Sequence, residues 1–267
     1  MTPVADTDLQ AHADALFEAE RTRVAVAPPS ERSPELTVAD AYAIQGLNVA
    51  RHVAAGARVA GRKIGLTSAA MQRMLGVSEP DFGALLDHMV IEDGDALPVA
   101  TLLQPKVEAE LAFVMGEDLA GPGVDSVAAA RAAAGVVPAI EVIDSRVADW
   151  RITLPDTIAD NASSGRYVLG ARVTPVDAHD LRLVGCVLTR NGDVAETGAG
   201  AAVLGNPLRC VAWLANALGA HGDGLRAGDV VLAGAVHAAV PVAAGDHVHV
   251  EFAHLGAVDV RFTGGDA

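Results

Sequence analysis

The chain has 267 residues, and its content of 51% hydrophobic and 20% charged residues excludes a disordered protein. Its formal net charge is −15, which opposes binding to the phosphates of nucleic acids. No stretch resembles a membrane span, and the start MTPVADTDLQ lacks a signal-peptide pattern. We therefore expect a cytoplasmic protein that binds neither nucleic acid nor membranes, with Cys186 and Cys210 as buried free thiols.

Residues 1–56 predict a helical N-terminal segment. DLQAHADALFEAERTR carries apolar residues at helical spacing, and a proline-rich break, APPSERSPE, follows it. The next stretch, TVADAYAIQGLNVARHVAAG, predicts a helix in which Thr37 and Asp40 form the start signal.

From residue 57 the pattern changes to strands, which predicts one continuous β-rich catalytic core over 57–267. ARVAGRKIGLT predicts a strand, SAAMQRMLG a short helix, EPDFGALL a turn-rich loop and MVIEDGDAL a further strand with its turn. VDSVAAARAAAG predicts a helix and VVPAIEVIDSRV the strand after it.

The stretch PKVEAELAF predicts a strand with an apolar face and a second face that carries Glu108 and Glu110. Two carboxylates roughly 7 Å apart on one strand face repel each other unless both face water or a positive charge lies between them. The pattern alone supports a solvated face and a cation site equally.

The last third predicts a hairpin, a helix and several strands. LVGCVLTRNGDVAETG predicts two strands joined by a type I′ turn at Asn191-Gly192. NPLRCVAWLANALG predicts a helix with Asn206 as its N-cap and Gly219 beyond its end. GDVVLAGAVHAAVPVAAGDHVHVEFAHLGAVDVRF alternates strands with Gly-Asp turns.

Glu141 lies within the apolar run PAIEVI, where burial of a carboxylate is costly unless it is paired or binds a metal. With Glu108 and Glu110 it makes three carboxylates on two strands, and no Cys/His cluster accompanies them. An oxygen-only set suits Mg²⁺ or Mn²⁺ rather than zinc.

Six motifs together resemble the 2-hydroxypenta-2,4-dienoate hydratases (2-keto-4-pentenoate hydratases) of the fumarylacetoacetate hydrolase-like superfamily. They are KIGLTS (63–68), EPDFG (79–83), QPKVEAELAF (104–113), PAIEVIDSRVADW (138–150), ADNASSGRYVLG (159–170) and GAGAAVLGNPL (198–208). The resemblance extends from about residue 35 to the C-terminus. It implies an α+β fold with a mixed β-sandwich-roll core and flanking helices, in which Glu108, Glu110 and Glu141 hold Mg²⁺ or Mn²⁺.

The resemblance also singles out Lys63, Asp81 and Ser163 as catalytic residues around the metal. Lys63 would bind the substrate carboxylate or move protons, Asp81 would act as acid, base or water-orienting group, and Ser163 would hydrogen-bond the substrate or a water. Without the resemblance, a surface lysine, a turn-forming aspartate and a loop serine are the simpler interpretations.

The roles of several other titratable side chains stay open at this point. His247 and His249 form an H-x-H pattern that could bind a metal but is more typical of a solvated strand face. His237 stands where similar proteins carry an apolar residue, and it could border the substrate pocket. Asp144 and Arg146 could pair near Glu141, or form an ordinary surface ion pair.

The resemblance implies a metal-dependent hydro-lyase that adds water to 2-hydroxypenta-2,4-dienoate to give 4-hydroxy-2-oxopentanoate, in the meta-cleavage catabolism of aromatic compounds or steroids. It also implies a homo-oligomer that associates with a sister decarboxylase or a downstream aldolase. Three alternatives stay open: a 4-oxalocrotonate decarboxylase of the same family, a C–C bond hydrolase, whose third ligand is typically Asp, and a non-catalytic stabilising subunit.

Overall fold

The computed structural model describes residues 6–69, 72–73 and 76–265. The helices there are α1 (Asp6–Thr22), α2 (Pro29–Arg32), α3 (Val38–Ala54), α4 (Ser126–Ala132), α5 (Leu154–Ala159) and α6 (Pro207–Ala220). The strands are β1 (Val59–Gly65), β2 (Asp81–Leu86), β3 (Val90–Ile91), β4 (Ala96–Pro98), β5 (Lys106–Met115), β6 (Ala133–Ile143), β7 (Ser164–Leu169), β8 (Gly185–Arg190), β9 (Asp193–Ala199), β10 (Val230–Ala235), β11 (Val240–Pro241), β12 (His247–Phe252) and β13 (Gly256–Thr263).

The N-terminal helices form as their sequences predict. Thr37 caps α3, since its hydroxyl accepts from the Asp40 N–H at 3.2 Å while its own N–H donates to Asp40 Oδ2 at 3.0 Å. The apolar sides of α1, α3 and α5 meet in one cluster, which includes Leu16, Ile44 and Ile158. The predicted division into a segment over 1–56 and a core over 57–267 stays a prediction.

Two sheets form the β-rich part of the fold and confirm the predicted mixed α+β class. The larger sheet has the order β2-β1-β10-β5-β6-β7-β3, with β11 also paired to β5, and the smaller has the order β4-β13-β12-β8-β9. Neighbours are antiparallel except for the pairs β1/β10, β3/β7 and β4/β13.

Strand β5 lies at the centre of the larger sheet and is covered on both faces. Its odd-numbered residues, such as Leu111 and Phe113, share an apolar core with Val250 and Phe252 of the smaller sheet. On the opposite face, Ala112 belongs to a second apolar cluster. Glu108 and Glu110 continue that second face, so they do not lie on an exposed outer surface.

The prediction of a loop over EPDFGALL is wrong from Asp81 onward, because β2 is a strand that is buried along its whole length. Asp-Phe-Gly has the composition of a turn, but Gly83 serves a close contact between segments. A Cβ at Gly83 would lie 2.4 Å from the carbonyl oxygen of Asn161, so only glycine permits this packing.

Other boundaries differ by a few residues. The helix predicted over VDSVAAARAAAG ends at Ala132, where the chain enters β6 directly, and α6 includes Gly219 and ends at Ala220. The hairpin is confirmed, with Asn191 at φ 58° and Gly192 at φ 89°. The helix predicted over SAAMQRMLG lies partly outside the described residues. Among the described helices, none has the length and apolarity required to cross a bilayer.

Candidate metal centre

Three carboxylates converge on neighbouring strands at the centre of the larger sheet. Glu108 of β5 is the direct register partner of Glu141 of β6, and Glu110 follows two residues later on the same face of β5. Each residue can offer one oxygen, and these oxygens lie within 4.8 Å of one another. The structure therefore brings together the three residues that the sequence singled out.

These carboxylates are costly in the absence of a cation. Glu110 and Glu141 are each 1% exposed, and Glu108 is partly buried. Burial, together with the charge of Glu141, raises the pKa of Glu108 to about 7 and that of Glu110 well above its usual range. Burial also raises the pKa of Glu141, although the Lys63 ammonium opposes this shift.

Few carboxylate oxygens of the triad accept hydrogen bonds from the described residues, so several could bind a ligand. Glu110 Oε2 accepts from the Gly234 N–H at 2.7 Å, whereas Glu110 Oε1 and both oxygens of Glu141 are buried and accept no hydrogen bond from the described residues, with only the Lys63 ammonium near Glu141 Oε1. Unpartnered buried carboxylate oxygens are destabilising unless something positive is bound to them. The residues present thus fit a hard divalent cation, which prefers oxygen ligands.

Lys63 lies beside the triad and is not a surface lysine. It projects from β1 with 4% exposure, and its Nζ is 3.3 Å from Glu141 Oε1 and donates to the carbonyl oxygen of Ala162 at 2.9 Å. Burial alone would lower its pKa, but the nearby charges of Glu141 and Asp81 outweigh burial and raise it. The side chain is therefore held as an ammonium.

Asp81 belongs to a strand and not to a turn. It is the register partner of Gly65, is 1% exposed, and its Oδ1 has no hydrogen-bond partner among the residues that the structure describes. Burial raises its pKa, while Lys63 opposes the shift. A Cβ at position 65 would lie 2.1 Å from Asp81 Oδ1, so the carboxylate can occupy this place only because residue 65 is glycine.

Ser163 lies in a strained segment that borders the triad. Asn161, Ala162 and Ser163 have φ values of 54°, 50° and 54°, and this left-handed conformation costs roughly 1–2 kcal/mol for each residue other than glycine. The Asn161 side chain holds the segment, since its Oδ1 accepts from the Ala84 N–H at 2.7 Å and its Nδ2 donates to the Ala84 carbonyl at 2.9 Å. The segment thereby presents the Ala162 carbonyl to Lys63.

A buried ion pair supports the same segment, and it differs from the pair that the sequence suggested. Arg146 Nε bonds Asp160 Oδ1 at 2.5 Å, whereas Asp144 instead accepts from the backbone N–H groups of Leu103 and Gln104 at 2.7–3.0 Å. Burial raises the pKa of Asp160 to about 6, with Arg146 opposing the shift. The hypothesis of an Asp144–Arg146 pair is therefore wrong.

A cleft of about 430 Å³ opens onto these residues. Its charged groups include Lys63, Asp81, Lys106 and Glu108, and Ser163 also lines it. Its apolar lining includes Ile64, Leu66, Ile143, Trp150, Ile152 and Val236. This combination of a polar end with apolar walls is typical of a site for a small organic ligand.

His237 borders the cleft, and its ring binds backbone groups. The Ala109 N–H donates to His237 Nε2 at 3.2 Å, and His237 Nδ1 lies 2.7 Å from the Ala238 carbonyl. Because Nε2 accepts, the proton of the neutral ring is on Nδ1. Burial lowers its pKa, which favours that neutral ring. His237 therefore fixes the backbone between Glu108 and Glu110.

Sequence reasoning missed three residues of this site: Lys106, Trp150 and Asn161. Lys106 lines the cleft with its Nζ 4.1 Å from the centre of the Trp150 ring. One signal in the sequence could have found it, since Lys63 and Lys106 are the only lysines among 19 basic residues. Asn161 carries no comparable signal, because its role depends on a backbone conformation that the sequence does not specify.

Most of the chain matches a known protein family. Residues 43–263 match the model of the fumarylacetoacetate (FAA) hydrolase C-terminal family. A 2-keto-4-pentenoate hydratase of Paraburkholderia xenovorans (strain LB400) is 47% identical over 252 residues, which cover 94% of this chain and 93% of that protein. A 4-oxalocrotonate decarboxylase of Pseudomonas putida is 44% identical over 229 residues, which cover 86% of this chain and 87% of that protein.

Among solved structures, the 4-oxalocrotonate decarboxylase from Pseudomonas putida G7, complexed with magnesium and adipate, is similar along nearly the whole chain. The two share a TM-score of 0.94 and 39% sequence identity, and the match covers 98% of this chain and 100% of that one. The fold that the sequence motifs implied is thus confirmed.

Proposed function

The chain belongs to the fumarylacetoacetate hydrolase family, and from that premise we propose that it is a hydro-lyase that adds water to 2-hydroxypenta-2,4-dienoate. The product is 4-hydroxy-2-oxopentanoate, and the reaction serves the meta-cleavage catabolism of aromatic compounds or steroids. The single observation that carries the proposal is the buried triad of Glu108, Glu110 and Glu141, of which Glu108 lines a small cleft together with Lys63 and Asp81.

The cofactor is a divalent cation, and we propose Mg²⁺ or Mn²⁺ held by Glu108, Glu110 and Glu141. When bound, the cation supplies Lewis-acid stabilisation of the negative charge that develops on the substrate's 2-oxygen. The 39% identical decarboxylase with bound magnesium supports this assignment.

We propose that Asp81 transfers the protons at carbons 5 and 4 of the substrate. Burial raises the pKa of this carboxyl, and we propose that its protonated form gives a proton to carbon 5 as the dienol becomes an enone. The resulting carboxylate then takes a proton from the water whose oxygen bonds to carbon 4. One residue can perform both transfers because the two carbons are adjacent.

The remaining proton transfer is assigned to Lys63, and a hydrogen bond to the substrate is assigned to Ser163. The Lys63 ammonium gives a proton to carbon 3 after water has added, and regains one from solvent, into which the enol proton was released. Ser163 is 3% exposed and lines the cleft, where its hydroxyl hydrogen-bonds the substrate. Atoms and charges balance over the reaction, since only water is added.

Loss of dienol absorbance tests this function. Protein stripped with a chelator should be inactive, and added Mg²⁺ or Mn²⁺ should restore turnover to 4-hydroxy-2-oxopentanoate. An absence of metal-dependent turnover of any 2-hydroxydienoate would contradict the proposal and would favour the non-catalytic subunit.

The second candidate is a 4-oxalocrotonate decarboxylase. The TM-score of 0.94 to such an enzyme favours it, whereas the higher sequence identity, 47%, is with a hydratase. Release of CO₂ from 4-oxalocrotonate, measured beside hydration of the pentadienoate, separates the two. A C–C bond hydrolase is not supported, because Glu141 stands where an aspartate is expected.

The proposed surroundings of the enzyme follow the family resemblance. We expect a homo-oligomer that associates with a sister decarboxylase or a downstream aldolase. A cytoplasmic location suits Cys186 and Cys210, which are free and buried. Light scattering that shows a clean monomer at micromolar concentration would contradict the homo-oligomer.

A further inference from the structure

The chain contains only two lysines, Lys63 and Lys106, and both line the same cleft, while every other one of its 19 basic side chains is an arginine. We infer that Lys106 is the residue that recognises a carboxylate group of the substrate in this cleft. This inference rests on the proposed function, since it concerns the ligand of the same site. A lysine offers a compact ammonium on a flexible stem, which suits contact with a carboxylate in a confined space.

The position of Lys106 on β5 places its ammonium at the outer end of the site. Lys106, Glu108 and Glu110 project from one face of the strand at intervals of roughly 7 Å. Burial increases along this row, from the partly buried Lys106 and Glu108 to Glu110, which is 1% exposed. A ligand that reaches Glu108 from the cleft therefore passes within reach of Lys106.

The two lysines differ in how far their charge is already neutralised. Lys63 Nζ lies 3.3 Å from Glu141 and donates to the Ala162 carbonyl, so its ammonium is committed within the protein. Lys106 Nζ makes no ion pair or hydrogen bond within the described part of the chain, although the charge of Glu108 acts on it, and it lies 4.1 Å from the centre of the Trp150 ring. A cation–π contact orients an ammonium without supplying a counter-charge. The charge of Lys106 thus remains available to a ligand.

The Trp150 ring is itself fixed by Gln104, two residues before β5. Asp149 and Trp150 have φ values of 58° and 54°, so this turn is strained. Gln104 holds the turn, because its carbonyl accepts from Trp150 Nε1 at 3.2 Å and its Oε1 accepts from the Asp149 N–H at 2.9 Å. Lys106 and its aromatic partner are therefore positioned by the same end of β5.

Charge balance explains why the cleft requires such a group. Glu108 and Asp81 line its polar end, Glu110 and Glu141 lie beside Glu108, and the protein as a whole carries a net charge of −15. The proposed divalent cation and Lys63 together would offset the charges of the three glutamates, which leaves no excess positive charge there to attract an anionic substrate against the field of the protein. Lys106 supplies the uncommitted positive charge at the approach to the carboxylates.

The proposed substrate has one carboxylate, whereas 4-oxalocrotonate, the substrate of the second candidate function, has another at its far end. A binding experiment shows which of these two positions Lys106 recognises. Calorimetry on the Mg²⁺-loaded protein would use pyruvate, a 2-oxo acid with one carboxylate, and adipate, which has a second carboxylate at its far end. Lys106→Met keeps the apolar stem and removes the charge, whereas Lys106→Arg keeps the charge. Arg21→Met, on α1 and in an exposed pair with Glu18, is the matched control for the change in net charge.

We expect Lys106→Met to weaken pyruvate binding about tenfold or more, with Lys106→Arg within a few-fold of wild type and Arg21→Met unchanged. The Mg²⁺ affinity of Lys106→Met should not fall, and in turnover KM should rise more than kcat falls, which a merely structural role would not produce. A loss confined to adipate would assign Lys106 to the far carboxylate and would still support the inference. Unchanged binding of both acids by Lys106→Met would overturn it.

This outcome is independent of the proposed reaction. A wild-type protein that fails to hydrate any 2-hydroxydienoate, yet binds pyruvate in a Lys106-dependent way, would refute the hydratase and leave the inference standing. A protein that hydrates the dienoate but binds carboxylates equally well in Lys106→Met would support the hydratase and refute the inference.

Discussion

Strand pairs β5/β6 and β12/β13 carry the same alternating pattern and serve opposite purposes. In the first pair, the E-x-E of Glu108 and Glu110 faces Glu141 across the strands, and in the second the H-x-H of His247 and His249 faces Asp259. Both histidines lie 2.9 Å from the same oxygen of Asp259, and all three side chains are 32–46% exposed. The exposed group brings two histidine rings to one carboxylate in water, whereas the buried group gathers three carboxylates.

The difference shows that alternation alone does not reveal a functional face. What distinguishes the two pairs is the structure above them, because a second apolar cluster and the 161–163 segment cover the β5/β6 face. Like charges directly opposed in a sheet are destabilising, and burial increases that cost. The β5/β6 pair, in which this repulsion is buried, is the one that we expect to hold a cation.

The largest effect should come from the buried triad. Glu108→Gln removes one proposed ligand and should lower both Mg²⁺ affinity and turnover by more than about 100-fold, since even partners of a metal ligand cost 10–100-fold. The fold should remain intact because a repulsion is removed. Turnover assays, Mg²⁺ calorimetry and circular dichroism would measure these three outcomes.

The matched control is Asp259→Asn in the exposed pair. It should leave turnover and Mg²⁺ affinity unchanged, and it should alter the free energy of unfolding by no more than about 1 kcal/mol. Wild-type Mg²⁺ binding by Glu108→Gln would refute the triad, and a loss of activity in Asp259→Asn would break the contrast between the two pairs.

The second effect concerns the lysine within the buried group. Lys63→Ala should reduce turnover about tenfold or more, because a charge-assisted contact is lost. Mg²⁺ affinity should stay near wild type or increase, since a positive charge beside three carboxylates is removed. Initial rates and calorimetry test this pair of outcomes.

Arg62→Ala is the control for Lys63→Ala. Arg62 follows Gly61 on the same strand and pairs with Asp223 at 3.0 Å, away from the triad. Its loss should leave rates unchanged. Equal rates in Lys63→Ala and wild type would return Lys63 to a purely structural role.

Much of the fold could be predicted from local patterns. The capping box at Thr37, the Asn191-Gly192 turn and the N-cap at Asn206 depend on neighbouring residues only, and the structure confirms all three. The apolar alternation of β5 also identified its core face. These signals act within a few residues of one another, which is why a single sequence contains them.

The parts that failed depend on contacts between distant segments. β2 was predicted as a loop because Gly83 has the composition of a turn, whereas its actual requirement is the approach of Asn161. Three further features also depend on contacts between separate segments. They are the cover that the 161–163 segment forms over Glu108 and Glu110, the Arg146–Asp160 pair and the contact of Lys106 with the Trp150 ring. The resemblance to a family indicated the triad, but not what surrounds it.

A third effect compares two asparagines in the same left-handed conformation. Asn161 and Asn191 have φ values of 54° and 58°, and each side chain makes two hydrogen bonds. Asn161→Ala should destabilise the protein by about 2–3 kcal/mol, because groups of β2 lose their partners in a partly buried place, and Asn191→Ala by about 1 kcal/mol in an exposed turn. Chemical denaturation measures both.

Turnover should also differ between these two variants. Asn161→Ala should also lower turnover, because the segment that presents the Ala162 carbonyl to Lys63 loses its anchor. Asn191→Ala should keep wild-type turnover. Equal destabilisation by both changes, with no loss of activity in either, would show that the 161–163 segment needs no side-chain anchor.

The smallest effect is a pH dependence that only the buried triad should show. Burial and the charge of Glu141 raise the pKa of Glu108 to about 7, and the pKa values of Glu110 and Glu141 are also raised. A carboxyl with a raised pKa holds its proton more tightly in the folded protein, so the metal-free protein loses stability as pH increases from about 4.5 toward 7. Added Mg²⁺ competes with that proton and removes the repulsion.

The stabilisation by Mg²⁺ should therefore increase with pH. Release of one proton from a group with a pKa of about 7 predicts about fivefold tighter Mg²⁺ binding at pH 7 than at pH 6, or about 1 kcal/mol, with a smaller gain above pH 7. For a chain of this size that corresponds to an extra rise of about 2–4 °C in Tm at saturating Mg²⁺. Asp259→Asn should show the same increase, whereas Glu108→Gln should show none, and a Tm shift that is constant from pH 6 to pH 8 would mean that Mg²⁺ does not displace a proton from these glutamates.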